Sequence, residues 1–201
     1  MTWVTPYHQD SDFSRPLSFE DKVKIFEEQV LGWQLDIADT CINGELEEMG
    51  HSGWAVLAIA FTYFEMIGKT KDGYSGDSRS RRYFDQGVLD VFPELASRPE
   101  RVDVLTILYK HIRCGFYHAG VVHCRVTISS RFPHALDFVP QERRVLINPH
   151  LLIPVIKRHF VEYINCLRNP QEQRLRDNFE KRFNYLASFD PLAKATKASA
   201  P

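Results

Sequence analysis

The chain has 201 residues, 44% of them hydrophobic and 12% aromatic, which is enough to bury a core and excludes a disordered segment. A net charge of −1 excludes a global electrostatic funnel toward nucleic acid, so any RNA contact must rest on a local patch. The length fits one domain. Four scattered cysteines (Cys41, Cys114, Cys124, Cys166) and a start, MTWVTPYHQD, lacking both a basic region and an apolar run point to a reduced, cytoplasmic setting. The most apolar stretch, 55–64, is too short to cross a bilayer, so no membrane association is expected.

Residues 1–17 read as an irregular arm, because Pro6 and Pro16 discourage a regular element. Ser18 opens a helix with a capping box, Asp21 standing three residues on, and Val23, Phe26, Val30, Trp33, Ile37 and Cys41 recur at helical spacing until Asn43 and Gly44. From Ser52 to about Lys69 the sequence is apolar nearly all round, the pattern of a helix enclosed by neighbours. Glu65 is its one charge before Lys69. Either it faces solvent near the helix end, or it orients and neutralises a cation from elsewhere, for which Arg113 is the candidate.

Lys69 to Arg81 is a loop by composition and has neither the P-loop ending nor the Rossmann glycine spacing. Arg79, Arg81 and Arg82 form its basic end, which is either a solvated helix start or a patch that meets RNA phosphates. Tyr83 to Leu95 then reads as a short helix with Phe84, Val88, Val91 and Leu95 inward.

Arg101 begins the helix that carries the chemistry. Val102, Leu105, Leu108, Tyr109, Ile112 and Phe116 make its apolar stripe, with Arg113 at the margin and Lys110 as a further candidate RNA contact. His118 follows near the end, and Gly120 is suited to terminate the helix in a left-handed conformation. On an ideal α-helix Arg113 and His118 point about 140° apart and are offset by about 7.5 Å of rise. For both to reach one small anion, either Gly115 loosens the last turn or a second copy of the chain supplies part of the site.

After Gly120 the period changes to two. Val122, Cys124, Val126 and Ile128 alternate with polar residues, and Arg144 to Asn148 is a second extended run, so a small antiparallel β-hairpin is expected near 121–148. Pro149 starts a helix through Leu151, Leu152, Val155, Ile156, Phe160, Tyr163, Ile164 and Leu167. Gln171 to Ser188 makes the last helix, with Leu175, Phe179, Phe183 and Leu186 inward, and residues 189–201 read as a disordered tail. The expected fold is an all-α helical bundle over 18–188 with a small antiparallel β-hairpin inserted after the motif helix.

Arg113, the four residues Cys114, Gly115, Phe116 and Tyr117, and then His118, at the end of an amphipathic helix in a helical chain, resemble the signature of the HEPN superfamily. The resemblance implies a HEPN-like bundle, commonly a homodimer, and metal-independent ribonuclease activity with Arg113 and His118 as catalytic residues. It also implies RNA or a nucleotide as ligand, and a toxin or defence role with an antitoxin or other partner protein. At the position of Cys114, catalytic members usually carry a polar residue such as Asn, Asp or His.

The chemistry suits those residue types. Metal-free cleavage needs a base for the 2′-hydroxyl proton, an acid for the leaving oxygen and a cation on the phosphorane; imidazole serves the first two and guanidinium the third. Tyr117 either orients the phosphate, stacks on a base or is simply packed. Cys114, His118, His123 and Cys124 are zinc-capable but lack a paired knuckle, so no metal and no cofactor are expected. Arg113 and His118 equally suit a helix terminus without catalysis, and the alternative function is a non-catalytic HEPN-like dimer binding a nucleotide, RNA or a protein partner.

Overall fold

The computed structural model describes residues 3–44, 52–120 and 123–187, the side chains of Ser52 and Ala119 apart. It is mostly helical with one small sheet: α1 (Phe19–Val30), α2 (Asp36–Asn43), α3 (Ser52–Asp72), α4 (Ser80–Val91), α5 (Arg101–Ile107), β1 (Val126–Ile128), β2 (Leu136–Val139), β3 (Arg144–Ile147), α6 (Pro149–Arg168) and α7 (Gln173–Ala187). The expected tail at 189–201 and Val122 of the expected strand lie outside the described residues.

Helix α1 begins as its sequence requires. Ser18 Oγ accepts from the Asp21 amide at 3.1 Å and the Asp21 carboxylate accepts from the Ser18 amide at 3.0 Å, so two otherwise orphaned donors are satisfied. Val23, Phe26 and Val30 are buried as expected. Beyond Val30 the inward face changes. Leu31–Leu35 is wound as a π-turn between α1 and α2, which adds one residue to the turn and rotates all that follows. Leu35, Ala38 and Ile42 therefore enter the core, while Trp33 and Ile37, expected inside, are 44% and 45% exposed.

Helix α3 is the central element, as its all-round apolarity predicts, and α4 lies against it closely. A Cβ on Gly87 would stand 1.9 Å from the Phe64 carbonyl oxygen, and one on Gly68 would stand 2.2 Å from that of Tyr83. The two glycines let one helix backbone seat on the other. Phe61, Phe64 and Phe84 fill the space beside this seam with ring centroids 5.4–6.0 Å apart. The next loop, 73–79, is pinned from α7: Arg182 donates to the carbonyls of Tyr74 (2.9 Å) and Gly76 (3.2 Å), and Asn178 donates to that of Lys71 (2.8 Å).

The sheet differs from the expected hairpin. Its order is β1-β3-β2, with β1 parallel to β3 (Val126 opposite Val145) and β2 antiparallel to β3 (Phe138 opposite Val145). The two runs visible in the sequence are thus parallel neighbours, and the hairpin is made by β3 with a strand that the flanking Pro133 and Pro140 concealed. Val126, Val145 and Ile147 carry one face of the sheet into the core. Asn148 joins sheet to helix: its Oδ1 caps α6 at the His150 amide, and its Nδ2 donates to the carbonyls of Ser130 and Phe132.

In α6, Leu152, Ile156, Phe160, Tyr163, Ile164 and Leu167 are buried and Leu151 is exposed. In α7, Phe179 is buried, Leu175 and Phe183 pack at the core's edge, and Leu186 is exposed. The arm is not loose, because Thr5 is fully buried and its hydroxyl donates to Glu28 at 2.7 Å.

Candidate functional site at the end of the motif helix

The motif helix begins as α5 and then changes pitch. Leu108–Arg113 and Gly115–Ala119 are both π-wound, with Cys114 between them, and Gly120 ends the helix at φ +67°. An i→i+5 turn stacks each residue over the one five positions earlier, so the winding turns His118 toward the side of the helix that carries Arg113. The winding narrows the 140° divergence of an ideal α-helix, and does so within one chain. Val104, Leu105, Ile107, Leu108 and Ile112 are buried, and Val102, expected inside, is 66% exposed on the first turn of α5, ahead of the π-winding.

Arg113 is held on several sides. Its Nη2 donates to Glu65 Oε2 at 2.8 Å, and its guanidinium lies 4.7 Å from the Tyr117 ring centroid and 6.0 Å from that of Tyr109. Rings four residues before and after it thus bracket the cation. Its side chain keeps 21% exposure. Glu65 is buried and also accepts from Lys69 Nζ at 2.6 Å, and Ser80 supplies a further bond. Burial alone would push the Glu65 carboxyl up, but the bonds from Lys69 and Ser80 and the Arg113 charge outweigh it and hold the group below its ordinary value. Of the two readings open for Glu65, the geometry selects the partner of Arg113.

His118 and Tyr117 are both exposed, and among the described residues His118 has no ion pair or ring contact. Cys114 is half-buried and shares a hydrogen bond with the Tyr109 hydroxyl, five residues back along the π-turn. Burial, then the Cys114 thiol, pushes the Tyr109 hydroxyl up. Lys110 is exposed beside the motif.

Of the three arginines offered as a possible RNA patch, Arg81 is engaged inside the fold. Arg81 donates to both Asp85 oxygens (2.9 and 2.7 Å) and to Thr106 (3.2 Å) while lying over the Tyr109 ring at 5.0 Å, which is the link between α4 and the motif helix. Arg79, in a left-handed conformation, lies over Tyr74, and Arg82 lies over Tyr83, the two rings being 4.7 Å apart. Among the described residues no group of three His, Cys, Asp or Glu is arranged to hold a metal ion. Nor is any helix among them long and apolar enough to cross a membrane.

Two clusters escaped the sequence reading. His111 and His123 stack with centroids 4.3 Å apart, and Arg125 stands near enough to affect His111. Burial and then the charges of His123, Arg125 and Lys110 lower the His111 pKa. The second cluster joins three helices: the Tyr63 hydroxyl is 2.7 Å from His159 Nδ1, and His159 Nε2 is 2.9 Å from Asp90, which also accepts from Lys71 at 2.5 Å. Residues 63, 90 and 159 have no local pattern that relates them; only the fold brings them together. No family model, no curated protein and no solved structure matches the chain.

Proposed function

We propose that this chain is a metal-independent endoribonuclease of HEPN type. The reading rests on the π-wound passage from Arg113 to His118, whose pitch brings an anchored cation and an exposed imidazole nearer to one side of the helix than an ideal α-helix would. In the proposed reaction an imidazole takes the 2′-hydroxyl proton, the 2′-oxygen attacks the adjacent phosphorus, and the bond to the 5′-oxygen breaks. The products are a 2′,3′-cyclic phosphate and a 5′-hydroxyl end, the leaving oxygen having received a proton from an imidazolium. A homodimer supplies one His118 as base and a second as acid. Arg113 offsets charge on the phosphorane through the N–H groups that Glu65 does not engage. Glu65 fixes the direction of the guanidinium, and Lys69 keeps the Glu65 charge from cancelling it outright.

A second reading is favoured by one specific observation, the engagement of Arg113 by a buried carboxylate and two tyrosine rings. On this reading the chain is a non-catalytic HEPN-like dimer that binds a nucleotide, RNA or a protein partner. The toxin or defence role, with its antitoxin partner, belongs to the first reading and stands on the family resemblance alone. Incubating purified protein with labelled RNA in EDTA and identifying the 3′ ends separates the two. Cyclic phosphate ends support the nuclease; RNA that stays intact across varied sequences supports the binding module.

A further inference from the structure

Two large aromatic side chains stand exposed on either side of the residue before Tyr117. Trp54, on the first turn of α3, is 46% exposed and meets Phe116 edge to face, with ring centroids 6.0 Å apart. Tyr117, the next residue along the motif helix, is 56% exposed and has the Arg113 guanidinium over its ring at 4.7 Å. Phe116 itself packs at the edge of the core and fixes the base of the cluster. Burying either ring against the core would have been favourable, and instead the two stand exposed on either side of Phe116, one of them under a guanidinium.

The surroundings identify the occupant. The Arg113 guanidinium stands over the Tyr117 ring, Lys110 and His118 are exposed on the same helix, and that helix carries no acidic residue from Leu108 to Ala119. An apolar peptide would gain nothing from that charge. A ligand that alternates flat rings with anions satisfies both, and an unpaired polynucleotide strand has that chemistry: each base presents a face for stacking while its phosphate meets a guanidinium or ammonium. A duplex keeps its bases stacked on one another and cannot offer them.

We infer that Trp54 and Tyr117 form a base-stacking subsite, and that the site around Arg113 takes single-stranded RNA in which unpaired bases stack on these two rings. The inference deepens the proposed nuclease reading and shares its ligand class, but it concerns binding and not cleavage. Trp54 and Tyr117 here are positioning residues for the strand.

The experiment measures equilibrium binding in EDTA of three fluorescein-labelled probes of equal length: a single-stranded oligoribonucleotide, its duplex, and a ribose-phosphate oligomer without bases. The protein is the full chain carrying His118→Ala, so that the probe stays intact. The single strand is expected to bind at least tenfold more tightly than either other probe. Trp54→Ala and Tyr117→Ala are each expected to weaken its binding by roughly 5- to 100-fold, with Trp54→Phe and Tyr117→Phe close to the parent protein. Circular dichroism of the alanine variants matching the parent excludes misfolding as the cause. Equal binding of the baseless oligomer, unchanged binding by both alanine variants, or no binding of any probe overturns the subsite. Single-strand binding without any cleavage by the wild-type chain removes the nuclease reading and keeps the subsite; cleavage indifferent to both rings does the reverse.

Discussion

Glu65 Oε2 accepts a hydrogen bond from Arg113 Nη2 at 2.8 Å across 48 positions of sequence, tying the central helix to the π-wound end of the motif helix. The carboxylate is shared with Lys69, so one anion serves two cations in a site where its own side chain is 12% exposed. Removing it leaves both cations without their partner in a partly desolvated place. Glu65→Ala is expected to cost about 3 kcal/mol, toward the lower end for a broken buried pair because Arg113 retains some solvent. Urea denaturation reads this directly. A loss below about 0.5 kcal/mol would show the pair to be unimportant to the fold.

Acid should weaken the protein through two carboxylates. Burial alone would raise Glu65 and Asp90, but hydrogen bonds from Lys69 and Ser80 to the first, and from His159 and Lys71 to the second, bring both below their ordinary values of 4.5 and 3.8. A lowered carboxylate contributes stability that is present above its unfolded pKa and is lost as pH falls through its folded pKa. Asp85, which burial pushes up despite the Arg81 bond, works in the opposite sense and partly offsets them. Unfolding free energy is therefore expected to drop as pH falls below about 4.5. A flatter profile in Glu65→Gln is the check; identical slopes in the two proteins would count against it.

His111 adds a second window at higher pH. Its pKa lies below the ordinary 6.5 because burial and the charges of His123, Arg125 and Lys110 oppose protonation. The unfolded chain then binds the proton more readily, so stability falls as pH drops from about 6.5 through the folded pKa. His111→Gln is expected to remove that part of the slope. Thermal melts at pH 5.5 and 7.5 test it, and the same difference in both proteins would refute it.

The seam between α3 and α4 permits no side chain at two points. Gly87→Ala would drive its Cβ to 1.9 Å from the Phe64 carbonyl oxygen, so the helices must separate, at an expected cost of about 3 kcal/mol. Gly120→Ala, by contrast, meets no atom within 4 Å and bears only the strain of φ +67°, about 1 kcal/mol. Denaturant midpoints for the pair decide the matter; a smaller loss at Gly87 than at Gly120 would contradict the packing argument.

Helix positions were legible in this sequence because caps and apolar period are local. Ser18 with Asp21, Pro149 and the apolar run after Ser52 all mark elements where the structure has them. Inward faces were legible in helix interiors but failed at helix ends, where Val102, Leu151 and Leu186 are exposed, and wherever the pitch changed. A π-turn inserts one residue without any residue type that announces it, so Trp33 and Ile37 moved outward and Leu35 and Ile42 inward. The sheet was half legible, because alternation reports a strand but not the direction of its neighbour. At the site, Glu65 was recognisable as the one charge on an apolar helix and Arg113 as a marginal cation, but the sequence left Glu65 open between solvent and this partner. The chain from Tyr63 through His159 to Asp90 was not recognisable, since nothing local distinguishes those three residues.

The central claim is that Arg113 and His118 act together on one phosphate. Single-turnover cleavage of end-labelled RNA in EDTA, compared among the wild-type chain, Arg113→Ala and His118→Ala, tests it most directly. The account predicts cyclic phosphate ends from the wild type and a loss of at least 100-fold in rate for each variant, with the His118 variant keeping the wild-type melting temperature. Cleavage at the wild-type rate by both variants would contradict it.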